Sequence, residues 1–210
     1  MSPRLCLACL FVALAVSGCT SSKPQVPAVN DGVDVVLLPT DDFPVAVANI
    51  LEKHVAADTG LKVRAMLPLG TRDWTPFPDG QQYDPAALVQ LAAPAIERLR
   101  KSYGGKSYVI VTTRDINTAD RNLRFVFSAN FSQNVTVVSV ARMVAGNPGQ
   151  PAPDEVIIGR LRKMILRTIA LQYYNLGRSA DIHDVTYSPL MGLDDLDAMG
   201  SAMKKPESKR

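Results

Sequence analysis

A strand, helix and strand at the start of the folded region constrain this chain most. Residues 33–38 (VDVVLL) are a short, β-branched apolar run, the pattern of a strand buried on both faces of a sheet. Asp41 or Asp42 can cap a following helix, Pro44 suits its first turn, and the helix runs to about Asp58 with Gly60 just beyond its end. Leu61, Val63, Ala65 and Leu67 then alternate with charged or bulky neighbours, as a second strand does. Two strands joined through a helix lie parallel in one sheet, because the crossover carries the chain back before the second strand begins. The expected fold class is α/β (α+β): a mixed, mostly parallel sheet flanked by helices.

The rest of the chain extends that pattern. Residues 68–83 (PLGTRDWTPFPDGQQY) form a long proline-rich, aromatic connection, expected to lie over a cleft. Asp84 and Pro85 open a second helix as N-cap and first residue. Leu88, Leu91, Ile96 and Leu99 give its apolar face, Pro94 should kink it, and Gly104-Gly105 end it. Residues 108–112 read as a buried strand. Residues 123–130 and 135–143 read as two more, joined by a connection at 131–134 short enough for a hairpin. After a Gly- and Pro-bearing break at 146–153 comes a long amphipathic helix over 154–176, stopped by Gly177, then an irregular segment to Met199. No internal repeat is present.

The termini set the cellular context. Residues 1–18 carry a positive Arg4, an apolar stretch and small residues before Cys19, which is the organisation of a signal peptide. Val16-Ser17-Gly18-Cys19 resembles the bacterial lipobox, which implies cleavage before Cys19 and acylation of that cysteine. Thr20, rather than Asp, follows it, which points to the periplasmic side of the outer membrane. Polar, proline-bearing residues 19–32 then serve as a tether. Cleavage leaves 210 − 18 = 192 residues, one domain over 33–199 with a polar tail at 200–210 expected to be disordered. Removing Arg4 takes the formal charge from +3 to +2, which argues against nucleic acid as a partner. The three cysteines are Cys6, Cys9 and Cys19, so the mature fold has no disulfide and no thiolate metal site.

QYDPAALVQLAAPAIERLR, YVIVTTRDI, LRFVFSANFSQNVTVVSVARM, a long helix ending at a glycine, and SPLM follow one another in this chain. In order and content they resemble the archaemetzincins, a metzincin family of zinc-dependent peptidases. The resemblance spans roughly 33–199 and implies one antiparallel edge strand on the otherwise parallel sheet. It also implies a catalytic helix bearing HExxHxxGxxH, whose histidines hold zinc while the Glu polarises the bound water. With the motif glycine on Gly177, the first His falls on Ala170, the Glu on Leu171, the second His on Tyr174 and the third on Ala180. None of the motif's four groups is there, Tyr174 reads as packing rather than as a ligand, and the cysteines of the family's second, structural zinc site are missing too. Met191, in SPLM, matches the methionine turn beneath the metal.

The mature chain has two histidines, His54 and His183, too few for a three-histidine site. His183 with Asp181 and Asp184 is the remaining candidate metal cluster, although a D-I-H-D segment also reads as solvated turn chemistry. On a helical wheel Ile158, Leu161, Ile165, Ile169 and Leu176 form one face. Arg160, Lys163 and Arg167 lie opposite, in a stripe continued by Ala170 and Tyr174, expected to be a solvated face or a basic cleft floor.

These observations lead to an expected envelope lipoprotein whose archaemetzincin-like domain is a pseudoprotease without a cofactor, anchored by lipid and binding or scaffolding a peptide or protein. Arg124, Phe125, Phe127, Lys163, Arg167 and Tyr174 are the expected contacts for an extended peptide along 123–130. The alternatives are an active zinc peptidase with non-standard ligands and a purely structural envelope lipoprotein.

Overall fold

In a computed structural model of the chain, residues 32–120, 122–146 and 150–203 are described. The signal segment, Cys19, the tether as far as residue 31 and residues 204–210 lie outside them. Five strands form one sheet in the order β2-β1-β3-β5-β4. Strands β1 (Val35–Pro39), β2 (Val63–Ala65), β3 (Ser107–Thr112) and β5 (Val135–Ser139) are parallel, and β4 (Ser128–Phe131) runs antiparallel to β5 at the edge.

Alternation along the buried strands divides the core into two layers. Val35, Leu37, Val109, Val111 and Val138 face helices α1 (Val45–Thr59) and α3 (Asp154–Thr168), meeting Leu51, Val55, Leu161 and Ile165. Val36, Leu38, Tyr108, Ile110 and Val137 face α2 (Pro85–Tyr103), meeting Leu88, Ala92 and Ile96. The sheet is therefore covered on both sides, which is why its central strands are continuous apolar runs. Among the described residues no helix is long and apolar enough to cross a membrane.

Several expectations need correction. Asp41 and Asp42 do not cap α1, whose N-cap is Pro44 without a side-chain bond. The Asp41 carboxylate instead accepts from the Thr71 amide (3.0 Å), and that of Asp42 from the Thr113 amide (2.8 Å). Both carboxylates fix the loops that leave the C-terminal ends of the strands. Helix α2 agrees with the sequence at both ends, from an Asp84 cap that accepts from the Ala86 amide to Gly104 in the left-handed region, with Pro94 inside it.

Loop 68–83 lies against the α2 layer, and its end, at Gln81 and Gln82, lines a second cleft with Asn117, Arg124 and Arg142. Trp74 is buried in the α2 layer, donates from Nε1 to the Asp84 carbonyl at 2.8 Å, and stacks with Tyr83 and the Arg114 guanidinium. The hairpin at 131–134 is present, with Gln133 and Asn134 both at positive φ. Its first strand, however, begins at Ser128, five residues later than expected, and β5 stops at Ser139. At the C-terminal end the ordered pairing outlasts Met199: Ala202 pairs with Asp184, and Met203 packs on the core.

Candidate functional site

The edge strand supplies one wall of the site. Phe127 accepts from the Ser139 amide at 2.9 Å, so in the antiparallel register Phe127, Ala129 and Phe131 turn their backbone toward β5. Ser128 and Asn130 turn theirs outward, and no backbone partner meets them there among the described residues. The stretch before β4 is occupied. Ile116 accepts from the Val126 amide, Asn117 Nδ2 donates to the Leu123 carbonyl, and Gln82 Nε2 donates to the Arg124 carbonyl. The expected peptide edge at 123–130 is thus open only over Ser128–Asn130.

Helix α3 forms the floor. It continues into a single π turn, Ile169–Tyr173, in which the Tyr174 amide reaches back to the Ile169 carbonyl. The turn ends at Asn175, which takes the left-handed conformation (φ 52°) that the sequence suggested for Gly177. Between this helix, the 122–130 segment and residues 188–193 lies a cleft of about 840 Å³. Met164, Arg167, Thr168 and Leu171 are the helix residues that line it.

That geometry redistributes the positions inferred from the family motif. Of Ala170, Leu171, Tyr174 and Ala180, only Leu171 faces the cleft. Ala170 is fully buried in the core, Ala180 is exposed elsewhere, and Tyr174 packs edge to face on Tyr173. Burial, together with the charge of Asp34, raises the Tyr174 phenol above its ordinary pKa. Tyr174 therefore does not line the cleft. Arg167, Thr168 and Leu171, in contrast, all line the cleft, with i, i+1, i+4 spacing. Met191 lines the cleft from the opposite side and is 71% exposed.

Of the polar stripe of α3, Arg160 and Arg167 are buried and Lys163 is half-buried, so it is not the solvated face expected of it, while Arg167 belongs to the basic cleft floor that was the alternative. Arg160 donates to the Met143 and Ala145 carbonyls (2.6 Å each) and forks onto Asp197. Lys163 donates to the Leu196 and Asp197 carbonyls at 3.1 and 2.7 Å. Burial and the neighbouring Arg160 hold its ammonium below the ordinary lysine range in spite of Asp197. Lys163 does not line the cleft and is not available to a ligand there. Arg167 donates from Nη1 to the Tyr187 carbonyl and, at 3.4 Å, to that of Val185. The three cations thus strap the C-terminal segment onto the helix.

Charge in the cleft has one sign. Arg124, Arg142, Arg167 and Arg178 line it, and among the described residues no acidic side chain does. Arg142 is already paired with Asp115 (Nε to Oδ2, 3.0 Å) and lies over the Phe125 ring, which itself packs edge to face on Phe127. Arg124 and Arg178 have no ion pair among the described residues. Burial, reinforced by the charge of Arg178, lowers the Arg167 pKa from its ordinary value.

The donor set does not fit zinc. Arg167, Thr168 and Leu171 offer no imidazole, carboxylate or thiolate, and a guanidinium repels a cation. The D-I-H-D segment is taken up in turns. The Asp181 carboxylate accepts from the His183 amide, and buried Asp184 accepts from both the amide and the hydroxyl of Thr186, while His183 is exposed. Among the described residues no three His, Cys, Asp or Glu side chains gather into a metal site.

No protein-family model and no curated protein matches the sequence. Solved structures do match it. A zinc-dependent peptidase from Methanocorpusculum labreanum superposes with a TM-score of 0.67 at 19% identity, over 80% of this chain and 95% of its own. The archaemetzincin of Methanopyrus kandleri gives 0.60 at 20% identity, over 85% and 92%. That of Archaeoglobus fulgidus, solved with malonate, gives 0.59 at 16% identity, over 81% and 95%. The parallel sheet with its single antiparallel edge, the helices on both faces and these superpositions together show that the chain has an archaemetzincin-like fold.

Proposed function

We propose that this chain is a lipid-anchored protein of the bacterial envelope whose archaemetzincin-like domain has lost zinc-dependent hydrolysis and binds an extended peptide. The observation that carries this reading is the composition of the cleft floor. The three positions with HExxH spacing that line the cleft are Arg167, Thr168 and Leu171, so both metal ligands and the general base are missing together. What remains is what strand addition requires: an edge whose outward groups at Ser128 and Asn130 are unpaired, beside a cleft with apolar walls at Phe125, Phe127, Leu190 and Leu193. The anchor rests on the lipobox at Cys19, outside the described residues, and places the domain on the periplasmic side of the outer membrane.

A peptide array probed with the full-length protein, paired with elemental analysis of the purified protein, tests this reading. Peptide capture without stoichiometric zinc is expected. Stoichiometric zinc accompanied by chelator-sensitive peptide hydrolysis would overturn it in favour of a working peptidase with unconventional ligands.

A further inference from the structure

Arg167 is 8% exposed, yet only its Nη1 has partners. A guanidinium carries five N–H donors in a rigid fork. Nε and Nη2, which hold three of them, have no hydrogen-bond partner among the described residues, and neither is sealed from solvent. Arg167 itself lines the cleft. A cation this far from water without a carboxylate beside it is costly unless an anion visits it. Its neighbour Arg178 adds a second positive charge and no compensation.

We infer that Arg167 is a carboxylate receptor: its Nε and Nη2 take a carboxylate of the bound peptide in a two-pronged hydrogen bond at the cleft floor, with Arg178 as the outer charge. A fork of this kind selects a planar two-oxygen group over a neutral amide, because both donors are satisfied only by two acceptors at matching spacing. A fixed organic cation at the cleft floor offers electrostatic binding without a Lewis acid. The carboxylate comes either from the C-terminus of a peptide or from an Asp or Glu side chain within it. The inference rests on the peptide-binding reading for the identity of the ligand, although not for the existence of the anion site.

Two measurements on the full-length protein in detergent separate these claims. The first is side-chain nitrogen NMR of Arg167 Nε–H during titration with acetate, with Arg167→Lys assigning the signal by its loss. A saturable shift is expected, and a signal unmoved by acetate overturns the receptor. The second is binding of a peptide selected from the array, made as the free acid, as the C-terminal amide, and with each acidic side chain replaced by its amide. One of these neutral replacements is expected to weaken binding about tenfold, the scale of a charge-assisted hydrogen bond. Whichever replacement does so identifies the source. Equal affinity for all of them would mean that the peptide's carboxylates do not reach Arg167, which overturns the inference for peptides. Arg178→Gln, an exposed change that leaves the Arg167 contacts intact, should weaken the acidic form by a smaller factor. A saturable acetate shift with no peptide bound by the array sustains the receptor and removes the peptide-binding reading.

Discussion

Arg160 holds Asp197 through two parallel bonds, Nε to Oδ1 and Nη2 to Oδ2, each 2.6 Å long. The pair fastens α4 (Leu193–Ala198) to the first half of α3, and α4 directly follows the 188–193 wall of the cleft. The partners differ in environment. The Arg160 side chain is 8% exposed and that of Asp197 is 44% exposed, so most of the dependence lies with the arginine and its two carbonyl partners.

Replacing Arg160 with Met should therefore destabilise the domain by about 2–4 kcal/mol, because two carbonyls and a carboxylate lose a charged donor. Asp197→Asn, on the wetter side of the same pair, should cost about 1 kcal/mol or less. Chemical denaturation of both variants checks this, and equal losses would show that the carbonyl contacts contribute nothing.

The outer edge of β4 makes a prediction with its own control. Ser128→Pro and Asn130→Pro remove amides that face away from β5, so they should abolish peptide capture while changing stability little. Ala129→Pro removes a ladder hydrogen bond and should lower Tm by several degrees, about the effect of 1 to 2 kcal/mol in a domain of this size. Equal effects at all three positions would mean that the register, or the open edge, is misassigned.

Placement of the motif is testable by restoring ligands. Arg167→His with Leu171→His puts two imidazoles one turn apart toward the cleft. Added zinc should raise the Tm of that variant by a few degrees through binding to the folded state alone. Ala170→His with Tyr174→His should show no zinc response and should lose about 1–3 kcal/mol, because Ala170 is fully buried and the larger ring overpacks the core. A zinc response confined to the second pair would restore the register set by Gly177.

Acid sensitivity should report on Asp34, which joins the start of β1 to the π turn. Burial works to raise its pKa, but hydrogen bonds from the Lys62 amide, the Tyr173 hydroxyl (2.9 Å) and Lys106 (3.3 Å) outweigh it and leave the pKa lowered. A carboxylate with a lowered folded-state pKa stabilises above its unfolded value, about 3.9, and loses that contribution as pH falls through the folded value. The stability gap between wild type and Asp34→Asn, about 1 kcal/mol at neutral pH from the bonds involved, should therefore hold down to about pH 4 and close below it. Denaturation at a series of pH values checks the sign, and a gap that widened on acidification would contradict it.

Cys19→Ser should release the protein from membranes or stall its processing, read by fractionation and mass spectrometry of the N-terminus. Unchanged fractionation with an unmodified N-terminus would remove the envelope anchor from the proposal.

By itself the sequence determined the elements whose stability is local or generic. Continuous apolar runs at β1 and β3, the Asp84-Pro85 start of α2, the left-handed glycines at Gly60 and Gly104, and the short link before β5 each follow from backbone chemistry within a few residues. From them came the parallel sheet and its one reversed edge. The scarcity of histidine was also plain, since His54 and His183 are the two the sequence holds. Only tertiary structure decided where α3 is wet. A wheel assigns Arg160, Lys163 and Arg167 to solvent by polarity, but carbonyls from 143–145, 185–187 and 196–197 converge on them, and a carbonyl is present at every residue and leaves no mark in a sequence. The π turn and the positive φ of Asn175 likewise ended the helix earlier than Gly177 suggested. The cleft therefore has a buried, half-satisfied guanidinium at its floor because distant backbone dried one side of a helix and left the other open, a division that no local pattern encodes.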